Sequence, residues 1–538
     1  MTPDPTHPSP ATLRFLVPSA RDIIFILLFW SLLAGPLSNR PLADADIGWH
    51  IRTGEQILAT HSVPRTDPFS STMQGQAWFA WEWLYDALLG VLYRACGLNG
   101  VVWLCALLVA SIFVLLLWLL LKEGTGLPLA IVLMLLAEAA ATIHLYARPH
   151  IVSWLFSLLW FVALERWEQQ TAPRWLRWFF PASMALWVNL HGGWIFGLAL
   201  LATYALAAFL ESLGTADAFA RIRTRKRAHA LGRILLWSGL ATLVNPYGWR
   251  LHAHVYRYLG DRYLINRISE FQSPDFHGWA ERCFGTILLL ALIGFAGTRR
   301  ALPLRHLLVA LLAVYAGLYS SRNLPVASML LALIAGPILW ENFVSLAEKP
   351  GGWIWVREWT GRISSFSERM CAQELELHGH LWPVVTVIAA LTICMQGGRL
   401  GSRQLIQERF DPQKLPVAAA GNLQQGQSTE PIFSLDAWGG YLIYRLYPER
   451  KVVVDDRHDL YGPDRIREYL ILVQAEPGWE KVLEKWQIKT ALLPARSTLA
   501  NLLRELPREW HPVYEDHVAV VFKKEFQIKA RPDPKLKP

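Results

Sequence analysis

Asp44-Ala45-Asp46-Ile47-Gly48-Trp49-His50 comes directly after an apolar run near residues 23–38, and the place of that stretch decides the fold. Similar polar clusters interrupt the apolar sequence downstream: Arg148-Pro149-His150, Asn189-Leu190-His191-Gly192-Gly193, Asn245-Pro246-Tyr247-Gly248, Ser273-Pro274-Asp275-Phe276-His277 and Ser321-Arg322-Asn323. A charged residue costs about 2.5–3.5 kcal/mol at the centre of a membrane helix, so such groups gather around a wet cavity. The Gly and Pro beside them mark irregular backbone, which at that depth must be covered by protein or water.

With 53% hydrophobic and only 18% charged residues in 538, and a positive mean hydropathy, the chain is too apolar for an ordinary soluble protein. It reads as a polytopic α-helical membrane protein. Apolar runs near 23–38, 100–121, 127–145, 151–167, 176–190, 194–213, 232–245, 283–298, 303–319, 324–345 and 381–397 suggest about eleven transmembrane helices. Several are shorter than the roughly 20 residues that a perpendicular helix needs.

Lys and Arg set the orientation, because cytoplasmic loops retain positive charge. Arg14 and Arg21 precede the first span; Lys122, Arg174, Arg177, the run Arg221 to Arg227, Arg299, Arg300, Arg305, Lys349, Arg357, Arg362 and Arg369 follow. All of these lie inside only if residues 39–99 lie outside, with 82–95 as an interfacial helix rather than a span. Residues 1–22 then form a cytoplasmic tail, 23–397 the transmembrane domain with a first outer loop at 39–99, and every polar cluster named above falls outside the cytoplasm. The net charge of +9 is accounted for by the basic loops and calls for no nucleic-acid partner. The five cysteines form no disulfide framework or metal motif in their spacing.

Residues 398–431, rich in Gln and Gly, read as a linker, and 432–525 as a soluble α/β domain outside the cytoplasm, followed by a polar tail at 526–538. Strand-like runs at Lys451-Val452-Val453-Val454, Thr490-Ala491-Leu492-Leu493 and Val518-Ala519-Val520-Val521-Phe522 alternate with helical patterns near 463–475, 478–486 and 497–506. Asp455-Asp456-Arg457-His458-Asp459 lies where a strand ends, a common place for ligand contacts and equally for a charged turn.

Asp44 and Asp46, two apart in an extended segment, project to one side. They can share a divalent cation (Mg or Mn) through hard oxygen ligands, or one can accept a proton while the other orients a substrate. His50 follows them. Arg148 and Arg322 suit a phosphate group, although an arginine at a helix end also anchors to lipid headgroups. His150, His191 and Asp275 complete the candidate substrate-binding set. Histidines in such places also serve as plain helix-to-helix hydrogen-bonding groups. Trp78, Trp81 and Trp83 fit an interfacial aromatic belt as well as a sugar platform.

This arrangement resembles the GT-C superfamily of polytopic membrane glycosyltransferases, which includes protein O-mannosyltransferases, aminoarabinose transferases and oligosaccharyltransferases. The run from Asp44 through Trp49-His50, Gly54, Pro64 and Asp67-Pro68-Phe69-Ser70 to Trp81-Glu82-Trp83-Leu84 is similar to uncharacterised bacterial membrane proteins of this type. So are Asn189-Leu190-His191-Gly192-Gly193 and Trp438-Gly439-Gly440-Tyr441. The resemblance implies transfer of a sugar from a polyprenyl-phosphate donor to an extracytoplasmic acceptor, with inversion at the anomeric carbon, by a protein of the bacterial inner membrane. It implies Asp44 as general base or acceptor-orienting carboxylate, Asp46 as its neighbour or a metal ligand, and Arg148 and Arg322 as partners of the departing lipid phosphate. Two other readings stay open: a transporter or flippase of a lipid-linked or small polar substrate, and a non-catalytic sensor whose tail binds a ligand.

Overall fold

The computed structural model describes residues 16–169, 173–298, 300–348, 353–377, 380–426 and 428–525. The expected polar tail at 526–538, most of the N-terminal tail, and Arg14, Arg299 and Lys349 lie outside the described residues. Residues up to Pro41 together with Trp81–Glu408 make one compact unit; Leu42–Ala80 and the chain from Arg409 make a second.

The first unit is helical. Its opening helix, Ala20–Leu33, begins at a reciprocal cap: Ser19 Oγ accepts from Asp22 N (3.2 Å) and the Asp22 carboxylate accepts from Ser19 N (2.9 Å). Ala20–Leu33 packs on Trp83–Lys122, as does Leu381–Met395. Leu127–Ala141, Trp279–Gly297 and Leu324–Glu348 pack on one another, and Trp194–Gly214 pairs with Ala218–Ala241. The expected interfacial helix at 82–95 and the following span form Trp83–Lys122, broken at Gly97, whose φ of 61° is one that only glycine adopts without strain.

Among the described residues, five helices are long and apolar enough to cross a membrane, Trp83–Lys122, Leu127–His144, Trp194–Gly214, Trp279–Gly297 and Ser321–Ala347, or six if the bent pair Ile354–Glu376 and Leu381–Met395 counts as one span. The chain is therefore a multi-pass membrane protein, but the eleven spans expected from apolar runs are not reached by length. Ala20–Leu33, Leu176–Leu190, Leu304–Tyr319 and Leu381–Met395 have only 14 to 16 residues. At about 1.5 Å rise per residue, such helices fall short of a hydrocarbon core about 30 Å thick. The basic run expected in a loop lies on the helix Ala218–Ala241, where Arg227 pairs with Glu168 at 2.9 Å and also with Glu211.

The second unit is α/β. Four strands, β1 (Ile432–Ser434), β2 (Thr490–Pro494), β3 (Trp510–Glu515) and β4 (Ala519–Lys524), are ordered β1-β2-β4-β3, with β1 and β2 parallel and the other pairs antiparallel. The expected strand Lys451–Val454 pairs only through isolated bridges: Val452 lies parallel to Ile432 on one side and to Ser70 on the other. Ser71 N donates to Val452 O (2.8 Å) and Thr72 Oγ1 to Val453 O (2.6 Å), so a piece of the first loop extends the C-terminal sheet. The expected outer loop 39–99 thus divides, since 42–80 belongs with the tail. The expected linker carries the helix Val417–Gln425, whose Ala419, Ala420 and Leu423 are buried.

Candidate functional site

Two polar constellations stand out, one in each unit. In the first unit, Arg148, His150, His191 and Arg322 meet around a residue that sequence reasoning misses, Glu270. Arg148 Nη1 lies 3.2 Å from Glu270 Oε1, and Arg322 Nη1 lies 3.7 Å from Glu270 Oε2. The elements that deliver these groups are irregular by sequence. Arg148 stands just before Pro149 and the helix His150–Glu168, while Glu270 and Arg322 sit on the 3₁₀ turns Ser269–Phe271 and Ser321–Asn323. The two turns are tied together, Ser321 N donating to Gln272 O (2.9 Å) and Ser320 Oγ to Glu270 O (2.8 Å). Burial alone would raise the Glu270 carboxyl, but the charges of Arg148 and Arg322 outweigh it and hold the group well below the usual carboxylate range. The cluster therefore holds two guanidiniums against one ionised Glu270.

His191 is buried at the end of the helix Leu176–Leu190. Gly193 N donates to its Nδ1 (3.0 Å). Ser153 Oγ, accepting from Trp187 Nε1 (2.7 Å), donates to the same Nδ1 (2.6 Å). Nε2 faces Arg322 Nη2 at 3.1 Å and Glu82 Oε1 at 3.6 Å. The His150 ring lies 6.4 Å from that of His191, and its Nε2 donates to His144 O (2.6 Å). In the same segment as His191, Asn189 Oδ1 accepts from Trp83 Nε1 (2.7 Å) and its Nδ2 donates to Val244 O (2.7 Å). Asp275 is exposed, and its carboxylate accepts from His277 N (3.0 Å) in a local turn.

In the second unit, Asp44 Oδ1 accepts from Asp46 N (2.9 Å), a turn that fixes the pair at the start of the helix Ile47–Thr60. Asp46 and His50 are buried, and the His50 ring stacks on Trp49 with 3.6 Å between centroids. The helix Ile47–Thr60 packs on Asp436–Leu446. Across that contact, a Cβ on Gly440 would stand 2.5 Å from Ala45 O, and a Cβ on Gly439 would stand 2.5 Å from Asp455 Cβ. The motif Trp438-Gly439-Gly440-Tyr441 is thus what lets the acidic loop and the end of the 451–454 segment come close to one helix.

That approach gathers Asp436, Asp456 and His458, whose ligand-type atoms lie within 4.8 Å of one another. His458 Nε2 is 2.9 Å from Asp436 Oδ2 and 3.2 Å from Asp456 Oδ1. Two ligands at about 2.1 Å from one cation, at a right or tetrahedral angle, stand about 3.0–3.4 Å apart, so this donor set fits a divalent ion. Burial alone would lower the His458 imidazolium, but the hydrogen bond and charge of Asp436, then the charges of Asp46 and Asp455, raise it above its ordinary value. Asp436 shows the opposite balance: burial raises it, while His458 and the Tyr469 hydroxyl bring it below the usual range. Asp46 therefore acts electrostatically on the triple.

Below the triple lies a buried ion cluster. Arg457 Nη2 lies 2.7 Å from Asp455 Oδ2 and 2.8 Å from Asp67 Oδ1, with its guanidinium 4.7 Å from the Trp78 ring and 5.2 Å from the Phe69 ring. The sequence points to Asp455 to Asp459 as a group, but it does not connect them with Asp67 or Asp436. For Glu270, the signal present in the sequence is that two arginines near a membrane require a counter-ion; the polar clusters favour Asp275 among the acids between 246 and 279, whereas the arginines take Glu270.

No protein-family model and no curated protein matches the sequence. Solved structures do. The Archaeoglobus fulgidus oligosaccharyltransferase in its apo form matches 88% of this chain and 69% of its own, at 12% identity and a TM-score of 0.52. The archaeal oligosaccharyltransferase AglB of the same organism, in complex with an inhibitory peptide and a dolichol-phosphate, matches with the same identity, coverage and score. ArnT from Cupriavidus metallidurans bound to undecaprenyl phosphate is a weaker likeness, with a TM-score of 0.46 at 14% identity over 93% of this chain and 97% of that one. At 12% identity the likeness to the oligosaccharyltransferase is one of fold alone.

Proposed function

We propose that this protein is a membrane glycosyltransferase that moves a sugar from a polyprenyl-phosphate donor to an acceptor on the extracytoplasmic side, with inversion. The observation that carries the reading is the meeting of Arg148, Arg322 and His191 around Glu270, a donor-rich cluster in a chain of GT-C fold. An acceptor hydroxyl or amide attacks the anomeric carbon opposite the phosphate. The carbon–oxygen bond to phosphate breaks, polyprenyl phosphate leaves with the electron pair, and the acceptor proton passes to Asp44 or Asp46. Charge grows on the departing phosphate, where Arg148 and Arg322 stabilise it. His50, His150 and His191 orient substrate. Asp436, Asp456 and His458, with Asp46 near them, are the residues to hold a divalent cation. Imidazole among carboxylates suits Mn better than Mg, and such an ion would supply charge stabilisation at an acidic centre.

In this reading the N-terminus is cytoplasmic and the unit carrying the tail is periplasmic or extracellular, in a bacterial inner membrane. The test is release of polyprenyl phosphate from a panel of polyprenyl-phosphate sugars by the purified protein, with Asp44→Asn and Asp46→Asn beside it and with and without chelator. Release lost in either variant supports the reading. If the wild type consumes no donor but moves one across reconstituted vesicles, the protein is a transporter and the acids are structural.

A further inference from the structure

The second unit contains a cleft that the proposed chemistry does not use. It has a volume of about 340 Å³, at the small end of ligand pockets, and its walls include Ser71, Thr72, Arg465, Lys485, Trp486 and Lys489. It opens where β1 and β2 begin, beside the strand-like segment that the first loop adds to the sheet.

We propose that this cleft binds an acidic saccharide, a sugar chain carrying carboxylate or phosphate groups. Three cations line it, Arg465, Lys485 and Lys489, against two carboxylates, Glu430 in the lining and Glu468 behind it, which pairs with Lys485 and lies 3.4 Å from Arg465, so the cleft keeps an excess of one positive charge. The Lys489–Glu430 pair is 3.5 Å long with side chains 40% and 39% exposed, so it holds little energy and gives way to a ligand anion. The Trp486 indole is fixed before any ligand arrives: its Nε1 donates to Glu468 Oε2 (2.8 Å), and the Arg465 guanidinium lies over one face of the ring, 5.9 Å from its centroid, so that a sugar stacks on the other face or displaces it. A preoriented aromatic wall suits the apolar C–H face of a pyranose, because no rotamer entropy is lost on stacking. Thr72 Oγ1 spends its proton on Val453 O and so presents an acceptor to sugar hydroxyls. Gln487, also lining, holds a left-handed φ of 52°, a strained backbone for a residue with a side chain. That the glycan bound here is the acceptor of the transfer rests on the glycosyltransferase reading; the binding itself does not.

The test is titration calorimetry of the full-length protein in detergent. The probes are a tetrasaccharide alternating glucuronate and N-acetylglucosamine, maltotetraose as the neutral comparator, and inorganic phosphate. The acidic tetrasaccharide is expected to bind about tenfold tighter than maltotetraose. Trp486→Ala is expected to weaken it by about tenfold and Trp486→Phe by less than about threefold, which separates loss of the ring from loss of the fold. Lys485→Gln with Lys489→Gln brings the acidic probe down to the neutral one. Equal binding of the two glycans, undiminished binding to Trp486→Ala, or displacement by phosphate at the same concentration each overturns the proposal. Donor consumption, measured on the same samples, reports separately. Glycan binding by a protein that releases no polyprenyl phosphate leaves the cleft standing and removes the transferase reading.

Discussion

Gly48 and Gly440 touch backbone to backbone: a Cβ on Gly48 would stand 2.2 Å from the Gly440 carbonyl oxygen. Through that contact the helix that follows the Asp44–Asp46 pair closes on the helix that begins at Asp436.

The first prediction tests that contact. Gly48→Ala should destabilise the second unit by about 1–3 kcal/mol or more, because the obstacle is backbone and cannot rotate away. Gly421→Ala is the control: it lies on the helix Val417–Gln425 with nothing within 4 Å of its Cβ, and should be neutral or stabilising by about 0.5–1 kcal/mol. Thermal denaturation of both variants decides. Equal midpoints would mean that the helices separate without cost.

A second prediction concerns Arg457, held by Asp455 and Asp67 with all three side chains almost fully buried. Arg457→Gln leaves two carboxylates without a cation and should cost about 3–5 kcal/mol. Because Asp67 comes from the first loop, a fragment of 409–525 alone should aggregate, and the same fragment joined to 42–80 should be soluble and protease-resistant. A soluble, folded 409–525 would show that the loop is not part of this unit's core.

Glu270 offers a third. Glu270→Gln keeps the shape but removes the negative charge between Arg148 and Arg322, so binding of polyprenyl phosphate should tighten by about tenfold and depend more strongly on salt. Arg322→Ala should weaken it by at least about tenfold. Titration of the lipid phosphate into each protein checks both signs; weaker binding to Glu270→Gln would mean that the carboxylate mainly positions the arginines.

The fourth prediction is a pH dependence. His458 is raised above its unfolded value and Asp436 lowered below its own. The stability contributed by His458 is fully present below its unfolded value of about 6.5 and is lost as pH rises through the higher folded one. That of Asp436 is present above about 3.9 and is lost as pH falls through its lower folded value. A cation needs the imidazole neutral, so Mn²⁺ affinity, read by electron paramagnetic resonance, should climb as pH rises through the His458 value. His458→Gln should flatten that climb. Mn²⁺ affinity independent of pH would remove His458 from the ligand set.

By itself, the sequence determined the class of the molecule. Apolar runs long enough to bury themselves, with Gly, Pro and polar clusters between them, leave a chain of this composition few folds other than a multi-pass helical one, and periodicity placed Thr490–Pro494 and the helix His458–Gln474 within a few residues. Arg148, His150, His191 and Arg322 were legible because charge and imidazole are expensive in an apolar setting. Tertiary structure decided the pairings. Nothing local in Asp67-Pro68-Phe69-Ser70 announces a strand beside Val452, since that pairing depends on a partner more than 380 residues away in the chain. Glu270 rather than Asp275 holds the arginines because two 3₁₀ turns are hydrogen-bonded to each other. Asp436 joins His458 because two glycines let backbones approach where side chains would collide. Hydropathy is a property of each residue, whereas register and close approach belong to pairs.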